Sequence, residues 1–428
     1  AVSEVLSAAG IDVFLSDRPI PTPALSFAVR NKKLTSGVMI TASHNPAEYN
    51  GIKIKTAAGG AAGVEVTGAV EGLIVNPPSH KDIVAQGKIQ KVDGSTSLTI
   101  NPEQTPGFSP GCVERVDLSK GYVKFLRSYI DLKKIKQARF RVLVDVMHGS
   151  GNGFIADVLK GTKIRLEFTR REINPSFGGL RPEPVIENLR ATMQRMRKER
   201  FDLCLVLDGD ADRIAAIAPG GEFISPQKIL GLLALHLFQD RKMSGGVVKT
   251  IVGTNLIDNL TKSLGLKLYE TPVGFKYISK LMEAGDILVG GEEAGGMGFK
   301  DYIPERDGSL AGLLLLEMMV YRKKNMLKIL ADMEREFGRY YYLREDLKIK
   351  NLQADVQGFK NIKDLLGKDV VEVKDYDGVK LICRDLSWLM FRPSGTEPIM
   401  RVYSEAKSLN TSRRLIALGR KMVLALEK

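Results

Sequence analysis

The run D-G-D-A-D-R at 208–213 sets three carboxylates, Asp208, Asp210 and Asp212, two residues apart at the end of an apolar stretch, D-L-C-L-V-L. Like charges held this close disfavour one another's ionisation. A hard divalent cation relieves the conflict, and an all-oxygen donor set suits magnesium. Gly209 and Ala211 keep the loop thin, and Arg213 adds planar donors for a phosphoryl oxygen. A calcium loop of the helix–loop–helix kind needs a longer run closed by glutamate, which is absent. The plain alternative is an acidic turn.

Three other polar clusters end apolar runs. T-A-S-H-N-P at 41–46 follows G-V-M-I. Ser43 there is a weak nucleophile until something activates it, and an ordinary helix cap is the competing reading. His44 is a base candidate, but no carboxylate lies nearby in sequence to orient it, so a hydrolase triad is poorly supported. If Ser43 faces the aspartate loop, a cation there screens a phosphate carried on it. Lys53, in N-G-I-K-I-K, supplies positive charge or, with a lowered pKa, takes a hydroxyl proton. G-E-E-A-G-G at 291–296 offers Glu292 and Glu293 as acceptors for sugar-like hydroxyls, and G-F-K at 274–276 brings Lys276. R-P-S-G-T-E-P at 392–398 has the chemistry of an anion cradle: Arg392, Ser394, Gly395 and Thr396, with Arg401 just beyond. A surface turn is the alternative there. Together the clusters ask for a small ligand with a phosphate at one end, hydroxyls in the middle, and a metal-bound serine at the other.

The elements that must position them follow an α-β-α-β rhythm. A helix closed by Gly10 precedes the strand I-D-V-F-L, and Thr22 is expected to cap a helix with proline in its first turn. Such a chain normally opens on a strand, so the sequence is expected to lack its true N-terminus. Residues 57–111 are poorly patterned and turn-rich. Strands R-V-L-V-D-V, I-R-L-E-F and D-L-C-L-V-L-D form a second block. In a third, strands alternate with helices over 226–239, 256–264, 275–284 and 308–321. Short alternating strands and a helix over 408–426 close the chain. The expected fold class is α/β: three consecutive α/β domains with mixed sheets (1–117, 118–222 and 223–340) plus a small C-terminal α+β domain (341–428), around one central cleft.

A chain of 428 residues with 44 % apolar content suits several packed domains. Its formal charge of +13 is spread widely and not interleaved with aromatics, which favours anionic small molecules over nucleic acid. The longest apolar run, at 310–320, is interrupted by Glu317, so no membrane partner is expected. Cys112, Cys204 and Cys383 lie far apart, as in a reducing cytoplasm, and a cytoplasmic location is the expectation. The four histidines lack metal-ligand spacing, and His236 reads as a packed helix residue.

The clusters resemble those of the α-D-phosphohexomutase superfamily, nearest its phosphoglucomutase/phosphomannomutase members. The match runs over nearly the whole chain: T-A-S-H-N-P-x-x-Y-N-G-x-K, N-P-S-F-G-G-L-R-P-E-P, D-G-D-A-D-R, V-G-F-K, G-G-E-E and R-P-S-G-T-E-P-x-x-R-V-Y. The resemblance implies an intramolecular phosphotransferase that interconverts hexose 1-phosphate and hexose 6-phosphate through hexose 1,6-bisphosphate. It implies a phosphoserine at Ser43, with Mg2+ held by that residue, Asp208, Asp210 and Asp212. His44, Lys53 and Arg213 would flank the transfer point, with Lys53 as general-base candidate. Glu292 and Lys276 would hold the sugar, and Arg392, Ser394, Gly395, Thr396 and Arg401 the distal phosphate. Three departures are visible. No glycine-serine-arginine loop opens the chain, Ala294 stands where many members have serine, and Gly296 stands near the place of a histidine common in mannose-tolerant members. The last leans toward glucose, with mannose tolerated. A phosphoglucosamine mutase and a magnesium-dependent phosphatase with an aspartate nucleophile are the alternatives. A monomer or homodimer is expected.

Overall fold

The computed structural model describes residues 2–75, 90–91, 98–99, 111–349, 356–394 and 398–426; Gly395 and Thr396 of the expected cradle lie outside them. The first helix, Val2–Ala8, ends before Gly10, which adopts φ +79°. Strand β1 (Val13–Ser16) and the helix Thr22–Asn31 follow. The expected threonine cap does not form. The N-cap is Pro21, without a side-chain bond, and the Thr22 hydroxyl is committed elsewhere. β2 (Gly37–Ile40) pairs antiparallel with β3 (Ile52–Lys55), setting Met39 opposite Lys53. The poorly patterned tract holds a helix, Val64–Val75, and a short pair, β4 (Gln90–Lys91) with β5 (Leu98–Thr99). That helix escapes periodicity because its apolar residues form no stripe; Val64, Leu73 and Ile74 are exposed. β6 (Val113–Val116) runs parallel to β1.

The second block is a five-stranded mixed sheet. β7 (Arg141–Asp145) lies between β8 (Arg165–Thr169) and β9 (Leu203–Leu207), both parallel to it; β10 (Ile214–Ala218) and β11 (Glu222–Ile224) extend it antiparallel. Every residue of β9 and β10 is buried, which is why these strands read as unbroken apolar runs. The third block orders β12 (Gly246–Thr250), β13 (Leu268–Thr271), β14 (Ile287–Gly291) and β15 (Met297–Phe299) as β13-β12-β14-β15, with only β15 antiparallel. Its helices are Pro226–Leu235, Asn255–Leu264, Phe275–Ala284, Gly308–Arg322 and Met326–Phe337. The first continues as a π turn over His236–Asp240, where an uninterrupted α-helix was expected.

The fourth block is an antiparallel sheet ordered β16-β20-β19-β18-β17: β16 (Tyr341–Lys348), β17 (Val370–Lys374), β18 (Val379–Cys383), β19 (Trp388–Pro393) and β20 (Ile399–Ala406). The helix Leu409–Ala425 packs on it, capped by Ser408. Three α/β blocks with mixed sheets and a small α+β domain are thus the architecture. One apolar core runs from Ile20 to Tyr340 through the first three blocks. The fourth has its own core, around Leu381, Leu389, Phe391, Val402 and Leu415. A smaller seam of Ile251 and Val252 against Ile382, Trp388, Met390 and Tyr403 joins it to the third. Among the described residues no helix is long and apolar enough to cross a membrane.

Candidate active site

The loops leaving β2 and β9 meet. Ser43, held at φ +53°, points its hydroxyl at Asp210, with Oγ 3.1 Å from Oδ1. A left-handed non-glycine residue costs about 1–3 kcal/mol, which the surrounding contacts must offset. Gly209 explains the close approach: a Cβ there would fall 2.3 Å from the Ser43 carbonyl oxygen. Lys53, placed opposite Met39 by the β2–β3 pairing, donates to Asp210 Oδ2 at 2.6 Å and Asp212 Oδ2 at 2.9 Å, and lies 3.4 Å from Ser43 Oγ. His44 Nδ1 is also 3.4 Å from that oxygen. Arg213 donates its backbone N–H to Asp208 Oδ1 at 3.0 Å. Its guanidinium stays 4.0 Å from Asp208 Oδ2 and 3.9 Å from Asp212 Oδ1.

The three aspartates are buried and offer oxygen atoms within 4.8 Å of one another. Asp208 Oδ2 and Asp212 Oδ1 have no hydrogen-bond partner among the described residues. Two orphaned carboxylate oxygens aimed into an all-oxygen cluster fit a hard divalent cation. Burial and the facing Asp212 and Asp210 charges push the Asp208 carboxyl well up. Burial also opposes ionisation of Asp212, but Arg306, Lys53 and Arg213 hold its carboxyl well below the usual range. Burial and the Arg213 charge lower His44 to about 2, so its imidazole carries no charge at neutral pH. Burial acts to lower Lys53 too, but the charges of Asp212 and Asp210 outweigh it and the pKa rises. In this arrangement Lys53 is a cation paired with two carboxylates.

The third block reaches the same centre through Arg306. Its guanidinium donates to Asp212 Oδ2 at 2.6 Å and to Glu292 Oε2 at 3.2 Å, bridging the aspartate loop to the glutamate loop. Gly296 makes room for it, since a Cβ there would lie 2.1 Å from Arg306 Cδ. Glu293 accepts from Thr250 Oγ1 at 2.9 Å; burial and the neighbouring Glu292 charge raise its carboxyl. Lys276 is exposed on the helix after the V-G-F-K turn, near the Tyr277 ring. Arg392 and Arg401 are paired across β19 and β20. Arg392 Nε donates to Asp377 at 2.8 Å, and Arg401 Nε lies 4.0 Å from Asp346. Ser394 donates its backbone N–H to Ile399. The structure thus brings Ser43, His44, Lys53, the three aspartates, Arg213 and Glu292 together directly or through Arg306. Arg392 and Arg401 are anchored within the fourth block.

Two residues of the centre were not picked out by sequence reasoning. Thr22 Oγ1 donates to Asp210 Oδ2 at 2.5 Å, and its backbone N–H to the Asp210 carbonyl at 3.0 Å. Its signature was that of a helix cap. Arg306 sits in P-E-R-D at 304–307, where three charged residues flanked by apolar runs were the available signal. The neighbouring Glu305 forms a fully buried ion pair with Lys55.

Family models of phosphoglucomutase/phosphomannomutase match the chain in four segments: domain I over residues 1–80, domain II over 120–221, domain III over 225–337, and the C-terminal domain over 344–417. A phosphoglucomutase/phosphomannomutase of Thermococcus kodakarensis is 29 % identical over 94 % of this chain and 82 % of its own. A phosphoglucosamine mutase of Methanococcus aeolicus is 30 % identical over 94 % and 84 %. Among solved structures, a Thermus thermophilus protein described as a phosphomannomutase superposes with a TM-score of 0.81 at 34 % identity, covering 98 % of this chain and 85 % of that one.

Proposed function

Because this chain belongs to the α-D-phosphohexomutase superfamily, whose members transfer phosphoryl groups within hexose or amino-sugar phosphates, we propose that it interconverts hexose 1-phosphate and hexose 6-phosphate, preferring glucose and tolerating mannose. The observation that carries this reading is the Ser43 hydroxyl, 3.1 Å from Asp210 and 3.4 Å from the Lys53 ammonium, over three buried carboxylates. Ser43 carries the phosphoryl group. Its P–O bond breaks as one forms to the free sugar hydroxyl, whose proton passes to the serine oxygen, giving hexose 1,6-bisphosphate. The bisphosphate turns end over end, and its other phosphate returns to Ser43 by the reverse step, so the isomerisation is proton-neutral.

Asp208, Asp210, Asp212 and the Ser43 phosphate would hold magnesium, which when bound screens charge on the transferring group. Lys53 and Arg213 add fixed positive charge beside the transfer point. Glu292 accepts from sugar hydroxyls, and Lys276 helps to position the sugar. Arg392, Ser394 and Arg401, with Gly395 and Thr396, grip the phosphate that is not being transferred. The glucose preference rests on Gly296 standing near the place of the histidine of mannose-tolerant members.

An aspartate-nucleophile phosphatase is disfavoured by exposure. Asp208 and Asp212 are 0 % exposed and Asp210 2 %, and the group that faces them from the neighbouring loop is the Ser43 hydroxyl. Ser43→Ala in the full-length protein is expected to abolish turnover while leaving sugar-phosphate binding largely intact. Near-normal turnover would show that Ser43 is not the nucleophile. Site mapping by mass spectrometry separates phosphate on Ser43 from phosphate on Asp208. Side-by-side rates with glucose, mannose and glucosamine phosphates test the sugar, and a preference for glucosamine 6-phosphate overturns the glucose reading.

A further inference from the structure

The hairpin joining β17 to β18 makes contacts that the transfer chemistry does not use. Its turn residue Asp377 accepts from two donors at once. Arg392 Nε reaches Oδ1 at 2.8 Å, and the backbone N–H of Val273, in the third block, reaches Oδ2 at 2.7 Å. Gly378, at φ +90°, lets the hairpin lie against β19, since a Cβ there would fall 2.3 Å from the Phe391 carbonyl oxygen. A second anchor lies beside it: Tyr376 and Lys374 both donate to Glu270 Oε1, at 2.6 and 2.8 Å.

Arg392 is a long side chain at a strand end, with several rotatable bonds. A carboxylate that takes its Nε fixes the guanidinium plane and aims the two terminal nitrogens, the paired donors that a phosphate accepts. Val273 opens the V-G-F-K turn that carries Lys276. We propose that Asp377 is the positioning residue of the phosphate cradle. Its one carboxylate orients Arg392 and ties it to the sugar-side turn, so that grip on the distal phosphate and placement of Lys276 are set together. This rests on Arg392 being a phosphate ligand, as proposed above.

The test is calorimetric binding of glucose 6-phosphate to the full chain and its variants. Arg392→Ala is expected to weaken binding, and Asp377→Ala to weaken it by ~10-fold, the loss of one charged hydrogen bond. Asp377→Asn keeps the shape but cannot accept from both donors, and is expected to follow Asp377→Ala. It also carries the test if the alanine variant fails to fold. Tyr376→Phe, which leaves the Lys374 anchor in place, is expected to bind as wild type. The double variant Asp377→Ala/Arg392→Ala is expected to bind no more weakly than Arg392→Ala alone, a coupling that a merely structural role would not produce. Wild-type affinity in both Asp377 variants beside a weakened Arg392→Ala overturns the positioning role and leaves the cradle standing. Additive losses in the double variant also overturn it. Wild-type affinity in Arg392→Ala removes the phosphate reading itself, and this proposal with it.

Discussion

Thr22→Val removes one hydroxyl from the carboxylate cluster and changes little else. Thr22 is fully buried, and valine matches its shape. Asp210 would keep its contacts with Ser43 and Lys53 and the backbone bond from residue 22, so the aspartate loop should hold its course. What disappears is a 2.5 Å donor to a charged oxygen. A hydrogen bond to an ionised group contributes about 1.5–3 kcal/mol, which is roughly one to two decades in an equilibrium constant. Loss of a partner behind a metal ligand falls in the same range, about 10- to 100-fold in affinity. We therefore expect Thr22→Val to weaken Mg2+ or Mn2+ binding by about that factor, read by calorimetric titration. Thr22→Ser, which restores the hydroxyl, should recover most of it. Unchanged or tighter binding in Thr22→Val would refute the reasoning, because Asp210 would then be oriented without Thr22.

Two further outcomes follow from buried charge elsewhere. Lys55 and Glu305 are each 1 % exposed in their side chains. Burial favours the neutral carboxyl of Glu305, but the Lys55 charge outweighs it and keeps the group ionised. Lys55→Met should therefore destabilise the protein by about 3–5 kcal/mol in denaturant unfolding, and a variant as stable as wild type would contradict the pairing. His236 gives a pH signature. Burial works against its charged form, but hydrogen bonds to Asp240 and Glu317 and the charges of both outweigh it, raising the pKa above 6.5, with Arg241 and Arg322 also bonded to these carboxylates. Its contribution is complete below 6.5 and lost as pH rises through the higher folded value. Wild-type stability should thus fall across that window, and His236→Gln should lack that slope; identical pH profiles would exclude it.

The aspartate cluster was legible because it violates local chemistry: a fully buried apolar strand ends in three carboxylates whose repulsion only an external partner resolves. Ser43 was legible only jointly, through the strand before it and the loop it would have to face. Thr22 and Arg306 were hidden because their partners are 188 and 94 residues away, and pattern reading sees neighbours. Thr22 also imitates a cap, since a hydroxyl before a helical proline looks the same whether it bonds its own helix or a distant carboxylate. Glu317 misled more gently. It read as a break in an apolar run, yet it is a fully buried acceptor for His236, Arg241 and the Asp131 backbone. The helix Val64–Val75 went unseen because its apolar residues are exposed and scattered among Glu65, Thr67 and Glu71, which leaves no period to detect.

The separate interior of the C-terminal domain has a mechanical consequence. Tilting any of the first three domains against the others would tear a shared interior, whereas shifting the last against the third would leave both interiors whole and break only the seam around Trp388 and the hydrogen bonds beside it, from Val273 to Asp377 and from Lys374 and Tyr376 to Glu270 among them. A ligand that must let go at one end, spin and be caught by the other needs one jaw that loosens while the rest stays rigid. The arginine pair Arg392 and Arg401 sits on the one wall whose interior is its own.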